Sequence, residues 1–139
     1  MHKKENLKVL VVNDDPMSLL VLQTMLIQVC GIKDKNVSTA TNGLEGYQVA
    51  TQYQFDIILM DLHMHTMGGL ESCRRIKDTC HQDKMGMLKK EDSSSLLHHA
   101  SIPYIVAISA SNYDDDLMRQ CKKAGFDDQF SLPITAADF

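Results

Sequence analysis

Asp14, Asp15, Asp61 and Ser109 each stand at the end of a short apolar run. Asp14 and Asp15 follow LKVLVVN (7–13), Asp61 follows FDIILM (55–60), and Ser109 closes YIVAIS (104–109). Three carboxylates crowded together repel one another, and unless one takes up a proton they need a cation. Oxygen donors favour a hard ion such as Mg²⁺ over zinc. A cation held by few protein oxygens keeps positions open for a phosphoryl group, to which the Ser109 hydroxyl can donate. Asp61 is then a nucleophile that forms an acyl phosphate, while the metal neutralises the charge that gathers there. Any one aspartate at a strand end is commonly a turn or cap residue. The joint pattern carries the argument: two acids after one run, one after another, a hydroxyl after a third.

The elements that must position these groups follow from periodicity. Residues 7–13 read as strand one. Pro16 opens a helix where its missing N–H costs nothing, Asp15 is its N-cap, and Gly31 stops it. Residues 37–40 form strand two. Asn42 and Gly43 turn the chain into a weaker helix two, residues 44–52. The short, largely apolar run 55–60 suits a buried strand three better than a helix. Helix three spans about 70–80, with Leu70, Cys73, Ile76 and Cys80 on one side. Residues 81–101 are polar and mixed and read as an extended loop insertion with a short helical piece at 96–99. Strand four is 104–109, helix four starts at 112–116 and stops at Gly125, and strand five is 128–132. Residues 135–138 look like the first turn of a fifth helix, cut short at Phe139.

The order βαβαβαβαβ demands a parallel sheet with helices on both faces and right-handed crossovers. The expected class is α/β, a doubly wound five-stranded parallel sheet in order 2-1-3-4-5, in one domain over residues 1–139. In that order the switch point lies between strands one and three. Topology alone therefore gathers Asp14, Asp15, Asp61 and Ser109 at one sheet edge.

Composition excludes several classes. The 139 residues suit one domain, and 44% hydrophobic with 23% charged residues is ordinary for a globular one. A net charge of -4 argues against a nucleic-acid-gripping domain. Apolar runs fall far short of a membrane span and no secretory signal is read, so a reducing, cytoplasmic setting is expected, without membrane contact in this segment. Cys30, Cys73, Cys80 and Cys121 form no CxxC, and buried reduced thiols are the expectation. His63 and His65 flank Met64, but His-x-His alone is weak evidence for zinc. His81, His98 and His99 read as solvated.

The stretches VLVVNDDPMS, DIILMDLHMHTMGGLE, VAISAS and AGFDDQFSLP resemble a response-regulator receiver domain of two-component phosphorelay signalling, and the similarity covers nearly all of the chain. The resemblance implies a flavodoxin-like receiver fold with its fifth helix truncated, and a segment of a longer hybrid histidine kinase or regulator. It implies that Asp61 is the phosphoacceptor, fed by a phosphohistidine on a histidine kinase or histidine phosphotransfer domain. By the same resemblance Asp15 binds Mg²⁺ directly, Asp14 helps through the metal or its water, and the His63 backbone carbonyl is a further ligand. Ser109 is then the hydroxyl switch, and His63 and Ser111 tune dephosphorylation. A receiver of this kind catalyses its own phosphorylation and dephosphorylation.

The departures matter as much. Receivers usually carry Lys-Pro after strand five, where this chain has Leu132-Pro133. The aromatic switch position is Gln129, and Phe130 beside it is expected on the other face of the strand. A charge-assisted hydrogen bond of the missing kind is worth about 1.5–3 kcal/mol. The competing readings are a pseudo-receiver acting as a protein-interaction domain, favoured by Leu132, and a Mg²⁺-dependent phosphohydrolase. The hydrolase would want an acid where His63 stands and a cap domain.

Overall fold

The computed structural model describes residues 6–90, 102–110 and 112–131, with backbone alone at 84–90. Five short strands form one parallel sheet in the order β2-β1-β3-β4-β5: β1 Val9–Val12, β2 Val37–Ala40, β3 Ile57–Asp61, β4 Tyr104–Ser109 and β5 Asp128–Ser131. Between them run helices α1 Pro16–Thr24, α2 Gly43–Gln52, α3 Gly69–Lys90 and α4 Asp115–Ala124. The expected α/β class and strand order are those observed.

Strand alternation divides the core into two layers, because successive side chains leave opposite faces of a pleated strand. Leu10, Val12, Ile58, Met60, Ile105 and Ala107 bury against one face with Cys73, Ile76, Cys80 and Cys121. Val9, Val11, Leu59, Val106 and Ile108 bury on the other face against Leu19, Leu22 and Leu26. Helix α1 thus covers one face, and α2, α3 and α4 the other. Residues buried on both sides explain why the strands read as continuous apolar runs. Phe130 packs in the α1-side layer, as expected from its neighbour Gln129. On that side an apolar groove of about 460 Å³ runs past Leu7, Val9, Leu26, Tyr104 and Phe130.

The four cysteines are buried free thiols. Burial pushes the Cys73 thiol up to about 12 and Cys80 up to about 11, so both are protonated at neutral pH.

Helix ends follow local chemistry. Asn42 caps α2 by accepting the Glu45 N–H at 2.8 Å, and Asp114 caps α4 by accepting the Leu117 N–H at 2.8 Å. Gly125 ends α4 in a left-handed conformation at φ +104, where a side chain would be strained. Helix α3 does not stop near Cys80 as its apolar stripe suggested but continues to Lys90. The added segment HQDKMGMLKK is largely helix formers without proline, and one glycine costs only about 1 kcal/mol. Polarity alone therefore does not mark a loop here. The remainder of the expected insertion, 91–101, and the expected fifth-helix turn at 135–138 lie outside the described residues.

Candidate phosphoryl and metal site

The end of β1 is arranged by three consecutive polar residues with different tasks. Asn13 is buried, and its Oδ1 accepts the Asp15 N–H at 2.9 Å, which fixes the turn out of the strand. Asp15 is exposed and caps α1. Its carboxylate accepts the Met17 N–H at 3.4 Å, the Ser18 N–H at 3.2 Å and the Ser18 hydroxyl at 2.7 Å. The Ser18 hydroxyl holds the Asp15 carboxyl below its ordinary range; desolvation opposes it, and the Met17 and Ser18 amides add to the lowering. Asp14, between them, turns the other way, toward the loop after β3. Its Oδ2 accepts the His65 N–H at 3.3 Å and lies 3.7 Å from His65 Nε2. His65 is almost fully exposed, so that pair is a weak surface contact.

Asp61 is the last residue of β3, directly after the buried Met60, and it is half-buried. Its backbone sits opposite Ile108 of β4, and the Leu62 N–H donates to the Ile108 carbonyl at 3.1 Å. Its Oδ1 accepts the His63 N–H at 3.4 Å. Burial raises the Asp61 carboxyl above its ordinary range, and the charge of Asp14 adds to the rise. The amide of His63 partly offsets both. Gly69 opens α3 directly against the Asp61 carbonyl, where an added Cβ would collide with that oxygen and lie 2.9 Å from Leu62 Cα. The glycine is there because the helix start and the strand end share the same space.

Ser109 ends β4 one residue beyond Ile108, is fully buried, and lies in register with Ser131 of β5. The structure therefore brings Asp14, Asp61 and Ser109 to one edge, as topology demanded. Asp15 leaves the same strand end, and its carboxylate also satisfies amides at the start of α1. Among the described residues no cluster of three His, Cys, Asp or Glu side chains is placed to hold a metal. A zinc site, which wants three or four such ligands, does not fit. Mg²⁺ fits better, since it keeps several waters and takes one or two carboxylates. Asn13 and Tyr113 were not singled out by sequence. Asn13 reads as the last residue of a strand, and Tyr113 falls in the polar start of helix four, outside its apolar stripe. In the structure the half-buried Tyr113 hydroxyl donates to the Phe130 carbonyl at 3.0 Å.

The model of the response regulator receiver domain family matches residues 9–100. The chain belongs to that family. This receiver is 32% identical over 134 residues to the hybrid signal transduction histidine kinase G of Dictyostelium discoideum, covering 96% of the chain and 3% of that kinase. It spans between 3% and 15% of the length of the histidine kinases it matches. Its fold is that of the Saccharomyces cerevisiae response regulator Ssk1 receiver domain, solved with the histidine phosphotransfer signaling protein Ypd1. That match has a TM-score of 0.76 and 23% identity, over 99% of this chain and 86% of that one. The receiver domain of sensor histidine kinase PA1611 from Pseudomonas aeruginosa, with a magnesium ion in its active site cleft, gives a TM-score of 0.69. Its identity is 22%, over 96% of this chain and 90% of that one. No described helix is long and apolar enough to cross a membrane.

Proposed function

We propose that this receiver accepts a phosphoryl group on Asp61 from a phosphohistidine of a histidine kinase or histidine phosphotransfer domain. The observation that carries the reading is the charge balance at the sheet edge. The half-buried Asp61 carboxylate feels the negative charge of Asp14, and no lysine or arginine among the described residues pairs with either. The two carboxylates repel each other at the sheet edge, and a cation beside them would relieve that repulsion. Asp14, Asp61 and the His63 backbone carbonyl are the groups that would hold Mg²⁺, with Asp15 left as the helix cap. When bound, the ion neutralises the attacking carboxylate and the transferring oxygens.

In the transfer, an Asp61 carboxylate oxygen forms the new O–P bond as the P–N bond to the partner's imidazole breaks, and the imidazole nitrogen keeps the bonding pair. The Ser109 hydroxyl, at the neighbouring strand end, donates to a phosphoryl oxygen. Residues His63 to Met67 and the α1 start set water access to the acyl phosphate and so its lifetime.

The second reading, a pseudo-receiver used as an interaction domain, rests on Leu132 at the position where receivers carry lysine. One experiment separates them. The protein is incubated with Mg²⁺ and a small phosphoryl donor, and the intact mass is followed beside an Asp61→Asn variant. One added phosphoryl group, absent in the variant, supports the acceptor; unchanged mass sinks it in favour of the interaction domain.

A further inference from the structure

Tyr113 sits just before α4, packed against the core layer that contains Cys121 and Phe126. Its hydroxyl crosses to β5 and donates to the Phe130 carbonyl at 3.0 Å. Phe130 is in register with Ile108, and Ile108 with Asp61. The bonded carbonyl therefore lies on the sheet row of Asp61, two strands away, or roughly 10 Å at ordinary strand spacing. The charge of Asp61 reaches the tyrosine, since it is among the influences that raise the phenol, after burial and Cys121. The hydroxyl is thus a donor tied to a neutral acceptor at the rim of a site built to gain negative charge.

We propose that Tyr113 is a positioning residue that couples Asp61 to strand β5. Its hydroxyl proton goes to the Phe130 carbonyl in the unmodified receiver and to the phosphoryl oxygens once Asp61 carries them. This deepens the phosphoacceptor reading and rests on it. The physical drive is the contrast between acceptors: hydrogen bonds to an ionised oxygen are roughly twice as strong as those to a neutral one. An acyl phosphate carries about two negative charges on three such oxygens, in place of the single charge of the carboxylate. No covalent bond of the tyrosine changes; one O–H changes its acceptor, and the Phe130 carbonyl is released. The consequence falls on β5 and the start of α4, elements with no other described side-chain bond between them. The chain has no tryptophan and four tyrosines, so tyrosine signals are few enough to assign singly.

The test uses the whole chain with Mg²⁺ and beryllofluoride, a stable phosphoryl mimic, and tyrosine carrying ¹³C at the ring carbon that bears oxygen. Bound beryllofluoride is read by its own ¹⁹F signal, lost in Asp61→Asn. The expected result is a shift of the Tyr113 carbon, identified by its absence in Tyr113→Phe. Amide exchange over 129–131 rises about two- to tenfold with it, the worth of one neutral hydrogen bond. In Tyr113→Phe that exchange is already raised and no longer responds, although the ¹⁹F signal persists. A bound ¹⁹F signal with an unmoved Tyr113 carbon, or a β5 response equal in Tyr113→Phe, overturns the coupling alone. Absence of any bound ¹⁹F signal overturns the phosphoacceptor reading and the coupling with it.

Discussion

Replacing Asp14 and Asp15 separately, by asparagine, distinguishes the metal-binding acid from the capping acid. In the structure Asp14 sends its charge to Asp61, whereas Asp15 accepts three bonds from the first turn of α1. Two unit charges about 4 Å apart interact by about 1 kcal/mol in water, so a divalent ion beside one carboxylate gains about 2 kcal/mol. The Asp14 side chain is only a quarter exposed, which makes that water-like figure a floor. Asp14→Asn should therefore weaken Mg²⁺ binding at least about 30-fold, since each 1.4 kcal/mol is tenfold. Asp15→Asn keeps an N-cap of equal quality. It removes a charge that sits farther from the ion and is screened by water and salt, so the loss should be no more than about threefold. Asp15→Ala also loses the cap and should lower Tm by roughly 2–4 °C with Mg²⁺ affinity little changed. Isothermal titration with MgCl₂ at neutral pH and moderate salt measures the affinities, and a thermal melt measures the cap. Equal loss of affinity in Asp14→Asn and Asp15→Asn would refute the assignment.

Three further outcomes follow from the same site. Burial and Asp14 raise the Asp61 carboxyl, so the folded chain binds its proton more tightly than the unfolded one. Metal-free stability should therefore fall as pH rises above about 3.8 through the raised value, and Asp61→Asn should remove that fall in denaturant titrations. A fall that persists in the variant would place the cause elsewhere. Gly69→Ala places a methyl group against the Asp61 carbonyl and should cost about 1–3 kcal/mol in urea unfolding, with slower phosphorylation than an exposed helix substitution produces. Leu132→Lys restores a cation at the position where receivers carry it. About 1.5–3 kcal/mol for a charge-assisted bond predicts roughly ten- to a hundredfold more acyl phosphate at equilibrium, read by intact mass.

Strand-end residues were legible in the sequence because doubly wound topology leaves little freedom. Once five apolar runs alternate with helical segments, the right-handed crossover rule sends every strand's carboxyl end to one edge. Asp61 and Ser109 could be placed there from their positions after IILM and VAI. The Asp15 cap of α1 and the stop at Gly125 were equally local, since each depends on a residue bonding within its own turn.

Tertiary structure decided the choice among neighbours. Asp14 and Asp15 are identical in type and adjacent in sequence, and only the direction of the chain leaving β1 sends one carboxylate toward the loop after β3 and the other to the helix amides. Asn13 and Tyr113 gave no sequence signal because their partners are set by how the chain turns. Asn13 bonds the Asp15 amide across the turn, and Tyr113 reaches Phe130 on a different element. The length of α3 goes beyond the expectation for the opposite reason: the apolar stripe ends at Cys80, while the backbone ladder continues to Lys90. Side-chain type and period determined which groups meet at the edge of this sheet. Packing geometry, which no local pattern encodes, decided which of them face each other.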